Sequence, residues 1–168
     1  QLQRRVLRIW STPESTVARV FDELGGDSHG TETSICATRL EVEVVIRFAP
    51  AARAAGTALA DGLLAAFGDA VYAEDDLPVE ARVVTGLAQR GLTVACAESC
   101  TAGMVAARLA AVPGASNVLR GGIVAYANDV KIAQVGVPAA TIAEHGAVSA
   151  EVALALAEGV REVLQSDV

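Results

Sequence analysis

Residues 92–103 read LTVACAESCTAG, and the reading of the second half of the chain turns on them. Leu92, Val94, Ala95 and Cys96 form the apolar run of a buried strand, and residues 104–111 carry a helical pattern. Between them Glu98-Ser99-Cys100-Thr101 crowds a carboxylate, hydroxyls and a thiol into a strand-to-helix turn. Such a turn lifts one side chain off the end of a sheet and aims the first unpaired N–H groups of the helix at the same spot. A nucleophile placed there meets donors for an oxyanion or a phosphate already in position. Ser99 is the candidate nucleophile, although taken alone a serine before a helix is more often a simple N-cap.

Strands and helices alternate on either side of this turn. Downstream of the acidic stretch Glu74-Asp75-Asp76, residues 79–89 are helical in pattern and stop at Arg90-Gly91. Residues 118–125 read as a strand interrupted by Gly121-Gly122, where another backbone or a ligand can approach closely. Asn128-Asp129 can cap a helix beginning at Val130, and residues 138–144 form one more short helical turn. Ser149 caps a last helix with Glu151 in its first turn and Val152, Leu156, Val160 and Val163 at helical spacing. This alternation predicts an α/β layered domain over residues 76–168.

The first 75 residues follow a different order. A β-like run at 5–10 precedes a helix with Thr12 as its cap and Pro13 in its first turn, continuing to Gly25-Gly26. Strands at 34–38 and 42–48 follow, the second alternating Val42, Val44, Ile46 and Phe48 on one face. Pro50 opens an Ala-rich helix to Phe67, and residues 70–73 return as a strand. The order βαββαβ predicts a small α+β domain, ferredoxin-like or KH-like, over residues 1–75.

Composition narrows the function classes. A net charge of -7 disfavours nonspecific binding to nucleic acid or to an anionic membrane. No uninterrupted apolar run reaches about 18 residues, so no spanning helix is expected. No secretory leader is visible, and the start at Gln1 rather than Met predicts a fragment or a processed chain. Cys36, Cys96 and Cys100 make an odd set that fits reduced thiols in a cytoplasm. Cys96 and Cys100 lack a second pair to complete a metal site, and His29 and His145 are far apart, so no metal is expected.

Lys131 is the only lysine in the chain, every other basic side chain being arginine. An amine can accept a proton where a guanidinium cannot, and a first helical turn disfavours an added positive charge. Lys131 is therefore the candidate base, against the alternative of an ordinary solvated lysine. Tyr126, just before the Asn128-Asp129 cap, can relay a proton or fix a substrate; it can equally be an aromatic lid. Cys100 with His145 is the competing nucleophile–base pair. Glu98, facing opposite to Ser99 along the strand, is a candidate either to support the site from behind or to accept from a substrate hydroxyl. The N–H groups of Thr101 and Gly103 could contact an anion, and Asn117 and Arg120 are a weaker phosphate signal.

Four segments together resemble the CinA (competence/damage-inducible) C-terminal domain, whose members include nicotinamide mononucleotide deamidases. They are ACAESCTAG (95–103), ARLAAVPGAS (107–116), GGIVAYANDVKIAQVGV (121–137) and EHGAVSAEVALALAEG (144–159). The first half looks like the KH-like domain that precedes this module in longer members. The resemblance implies Ser99 as nucleophile, Lys131 as its base and Tyr126 as catalytic partner; Glu98, Cys100, Thr101, Gly103 and Gly122 beside them are the expected substrate-binding residues. It implies a cofactor-free, metal-free amidohydrolase that converts nicotinamide mononucleotide to nicotinate mononucleotide and ammonia in pyridine-nucleotide salvage. Ala102 stands where the family pattern has a first glycine. The family also continues into a further strand and a glycine-rich loop, so a C-terminally incomplete domain is expected, as is an absent upstream domain linked to ADP-ribose pyrophosphatase activity. Ala-rich helices favour a homo-oligomer. The alternative from another class is a noncatalytic nucleotide-binding or oligomerisation module that holds a phosphate at the same helix start. Nucleic-acid binding by the first half is the weakest reading, since that half is acidic and lacks a basic flank at Gly25-Gly26.

Overall fold

Apolar alternation sets the first layer in a computed structural model of the protein, which describes residues 2–28, 30–38 and 40–168. His29, one of the two histidines considered for a metal, lies outside the described residues. The chain divides into two compact units, Gln1–Leu77 and Pro78–Val168. Unit 1 runs β1 (Gln3–Trp10), α1 (Glu14–Glu23), β2 (Thr31–Thr38), β3 (Glu41–Phe48), α2 (Arg53–Phe67) and β4 (Val71–Ala73). Its strands lie in the order β2-β3-β1-β4 with every neighbouring pair antiparallel. This is the split βαβ arrangement of a ferredoxin-like layer. Val42, Val44, Ile46 and Phe48 join Leu7 and Ile9 on the face that packs against Val17 of α1 and Leu59 and Leu63 of α2.

Local details of unit 1 differ from expectation. Pro13, not Thr12, stands at the cap position of α1, and the Thr12 hydroxyl donates to the Trp10 carbonyl instead. Pro50 opens a short 3₁₀ turn, Pro50–Ala52, before α2 begins. The opposite face of the sheet carries a buried ion network. Arg8 pairs across to Glu43 at 2.6 Å and to Glu41 at 2.8 Å, and donates to the carbonyls of Asp75 and Asp76 at 3.0 Å each. Tyr72 donates to Glu41; burial and then that bond push its phenol up to about 12, with Arg8 acting against them. Arg5 reaches Glu74 and Arg4 reaches Asp76. The acidic stretch is therefore pinned to β1, and the division falls at Leu77/Pro78, just beyond the expected edge at residue 75.

Unit 2 runs α3 (Val79–Arg90), β5 (Val94–Glu98), α4 (Met104–Ala110), β6 (Leu119–Val124), α5 (Asn128–Val135), α6 (Ala139–His145) and α7 (Ala150–Leu164). Gly91 ends α3 in the left-handed conformation, and the amide of Leu92 closes back on the Leu87 carbonyl, which turns the chain into β5. β5 and β6 pair in parallel. Alternation along β5 feeds two cores: Cys96 packs with Val84, Leu109 and Val118, and Ala95 packs with Val135, Val152 and Val160. Helices cover both faces of the strand pair, the requirement of a parallel sheet. The expected α/β class is thus the observed one. Val168 bonds to Thr93 and Ala95 on the edge of β5 away from β6. Ser149 caps α7 as expected. Asn128 and Asp129 do not cap α5: both lie within it, and Ala127 holds the cap position. No helix among the described residues is long and apolar enough to cross a membrane.

Candidate active site

Glu98, the last residue of β5 and only 4 % exposed, organises the turn. Its carboxylate accepts from the amides of Gly103 and Val105 at 3.0 Å and of Ala106 at 2.8 Å. Burial would push this carboxyl up. The amides of Ala106 and Val105, the Thr101 side chain and the amide of Gly103 outweigh it and hold the group below the usual carboxylate range. Between strand and helix the chain folds tightly, with the amide of Ala102 on the Ser99 carbonyl and that of Met104 on the Thr101 carbonyl.

Two expectations change as a result. Ser99 does not cap α4, because Glu98 serves the donors a cap would serve, and its hydroxyl takes no hydrogen bond among the described residues. Glu98 does not stand ready for a substrate hydroxyl: both its oxygens are engaged by backbone, which also occupies the Gly103 amide expected to meet an anion. The Thr101 side chain is likewise drawn to Glu98. Cys100 is exposed beside Ser99.

Parallel pairing brings the other candidates to the same end of the strands. Glu98 lies opposite Val124, and the amide of Ala125 donates to the Glu98 carbonyl at 2.7 Å. Ser99 therefore leaves β5 where Tyr126 leaves β6, at the carboxyl ends where α/β sheets bind ligands. The Tyr126 ring is exposed, while Lys131 in α5 is the largest fully buried side chain among the described residues. The Lys131 amine donates to the Tyr126 carbonyl at 2.7 Å and to Asn128 Oδ1 at 3.4 Å, and no carboxylate pairs with it among the described residues. A lysine sealed from water without a counter-ion is a costly arrangement, and its solvated alternative is excluded. Asn128, expected only as a cap, is its side-chain partner; the i, i+3 spacing to Lys131 on a helix carried that signal.

Gly122 lies in β6 next to Cys96, and a Cβ there would stand 3.0 Å from the Ala106 Cβ. The close approach its sequence predicts is thus made by α4 rather than left open for a ligand. His145 ends α6 between Glu144 and Glu151, at 3.8 and 3.9 Å, and no hydrogen bond joins it to Cys100 among the described residues. Cys96 is buried, and burial followed by the Glu98 charge pushes its thiol up, against any thiolate role. Arg120 Nε donates to the Leu164 carbonyl at 3.2 Å, while Asn117 closes the 3₁₀ turn Ala115–Asn117. Among the described residues no group of three His, Cys, Asp or Glu side chains could hold a metal ion.

The profile of the CinA C-terminal domain matches residues 76–168, more than half of the chain and all of unit 2. The chain belongs to the CinA C-terminal domain family. A CinA-like protein of Gloeobacter violaceus is 42% identical over 171 residues, which cover 97% of this chain and 39% of that protein. A putative competence-damage inducible protein of Desulforamulus reducens is 40% identical over 168 residues, 98% of this chain and 41% of that one. The chain thus spans about two-fifths of the length of these curated relatives, and its likeness to them extends through unit 1. The crystal structure of the competence damage-inducible protein A from Klebsiella pneumoniae superposes with a TM-score of 0.52 at 31% identity, over 53% of this chain and 55% of that one. The CinA fold therefore frames the turn, the parallel strand pair and the buried lysine described here.

Proposed function

We propose that this CinA-family chain is an amidohydrolase acting on nicotinamide mononucleotide. The observation that carries the reading is Lys131, a buried amine held by the Tyr126 carbonyl at the strand ends where the uncommitted Ser99 hydroxyl emerges. Ser99 Oγ attacks the carboxamide carbon as the amine of Lys131 accepts its proton. The proton then passes to the departing nitrogen, with the Tyr126 hydroxyl as relay, and ammonia leaves an acyl-enzyme. Water, activated by the same amine, cleaves the ester to the carboxylate and restores Ser99. A Ser–Lys pair of this kind needs no imidazole. Cys100 and Thr101 flank the nucleophile and contact the bound nucleotide. We place the reaction in cytoplasmic pyridine-nucleotide salvage, carried out by a homo-oligomer. The noncatalytic alternative, a phosphate held at the start of α4, is disfavoured because Glu98 already occupies the donors there.

Ammonia release from nicotinamide mononucleotide tests the reading. Turnover by the unaltered chain should fall by about 10³-fold or more in Ser99→Ala and in Lys131→Arg, as for loss of a nucleophile or its base. Lys131→Arg keeps the positive charge and removes the ability to take a proton, so full turnover in that variant rules out the assigned base. Binding of the nucleotide with the amide left intact would establish the noncatalytic module instead.

A further inference from the structure

We propose that Glu98 is the positioning residue of the Ser99 site: it fixes the 99–103 turn from behind and closes the start of α4 to substrate anions. The inference rests on the hydrolytic reading of Ser99 and deepens it. A buried carboxylate normally needs a cation, yet none pairs with Glu98 among the described residues. Its charge is met by three backbone amides and one hydroxyl, all from residues 101–106. One side chain at the end of β5 thus ties the strand to the first turn of α4, and the five residues between those anchors carry Ser99. The turn contains two successive left-handed residues, Ala102 at φ +50° and Gly103 at φ +99°. Non-glycine residues hold such a conformation when their surroundings over-determine it, and the Glu98 bonds on either side of Gly103 supply that constraint.

The same bonds decide which backbone donors remain for a reacting carbonyl oxygen. Gly103, Val105 and Ala106 are committed to Glu98, and Ala102 and Met104 to carbonyls within the turn. The amides of Cys100 and Thr101 have no partner among the described residues. They directly follow the nucleophile, the position from which a backbone N–H serves an oxyanion in other strand-to-helix nucleophile turns. Glu98 therefore acts through the turn and not on the substrate. It keeps the helix start from competing for the anion and leaves the amides after Ser99 to receive it.

Glu98→Gln tests this, because it keeps shape but presents an NH₂ group to an amide that needs an acceptor. Ammonia release is measured with Ser99→Ala and Val160→Ala alongside, the latter a core truncation in α7 that lowers stability without touching the turn. Exchange of the Gly103, Val105 and Ala106 amides is followed in the same proteins. The expected result for Glu98→Gln is faster exchange at those amides and a kcat lower by about 10- to 100-fold, with KM within about twofold, the scale for misplacing a reacting group. Val160→Ala should keep its kcat at a temperature where it is folded. Glu98→Asp, one methylene short, should fall between Glu98→Gln and the unaltered chain. Unaltered kcat in Glu98→Gln with Ser99→Ala inactive would overturn the positioning role while sparing the hydrolytic reading. Equal kcat losses in Glu98→Gln and Val160→Ala would overturn it likewise. Activity of Ser99→Ala equal to the unaltered chain would instead overturn the hydrolytic reading, and the positioning role with it.

Discussion

Ala102 carries a side chain in left-handed backbone geometry, φ +50°, in the turn that holds Ser99. An L-residue there costs about 1–2 kcal/mol, whereas glycine costs about 0.4–1 kcal/mol through the unfolded chain. Relief of strain wins. Ala102→Gly should stabilise unit 2 by about 0.5 kcal/mol, read as a rise of about 2 °C in its melting temperature. The residues of the candidate site were legible to unequal degrees. Ser99 stood out because a hydroxyl at a strand-to-helix junction is visible in the sequence, and Lys131 because it is the only lysine. For Glu98 a supporting role was legible, but not the backbone amides it holds. Capping rules look for a short polar side chain beside the helix, and here the acceptor is a longer carboxylate five residues before Gly103.

At the scale of elements, Gly159 decides how α7 lies on α5. A Cβ at that position would stand 1.8 Å from the Val135 carbonyl oxygen, a backbone atom that cannot swing aside. Alanine in a helix interior gains about 1 kcal/mol over glycine, but forced overpacking costs about 1–3 kcal/mol and occasionally more. The clash wins, and Gly159→Ala should destabilise unit 2 by about 2 kcal/mol in urea unfolding. A shift of α5 that relieves it moves Lys131 as well, so turnover should fall more than stability alone accounts for. Element order and type followed from period and punctuation: Gly91 and Ser149 ended or began helices where their chemistry predicts. Thr12 and Asn128 failed as caps because a hydroxyl or amide has several local acceptors and donors to choose from. Each found a different one, the Trp10 carbonyl and the Lys131 amine.

At the scale of the whole molecule, each unit has apolar clusters made only from its own residues. Arg8 belongs to unit 1, where it neutralises Glu41 and Glu43 and holds the carbonyls of Asp75 and Asp76. Arg8→Met leaves the half-buried Glu41 and Glu43 carboxylates without their cation and should cost about 2 kcal/mol. Combined with Gly159→Ala its effect should be additive within about 0.5 kcal/mol, since the two sites share no partners. Urea unfolding of the double variant followed by separate probes checks this, and a larger coupling would show that the units do not respond independently.

The sequence by itself determined the two element orders, the alternation that buries one face of β3, the apolar run that buries β5, and the residue types from which a Ser–Lys site can be built. Those are local matters of period, propensity and chemistry. Only the tertiary structure decided that Ser99 is free of capping duty, that Lys131 is buried with no carboxylate partner among the described residues, and that the space beside Gly122 is filled by α4. Each of these depends on which groups meet across the sheet. Hydrogen bonds and burial are properties of pairs brought together by folding, and no single position in the chain carries them.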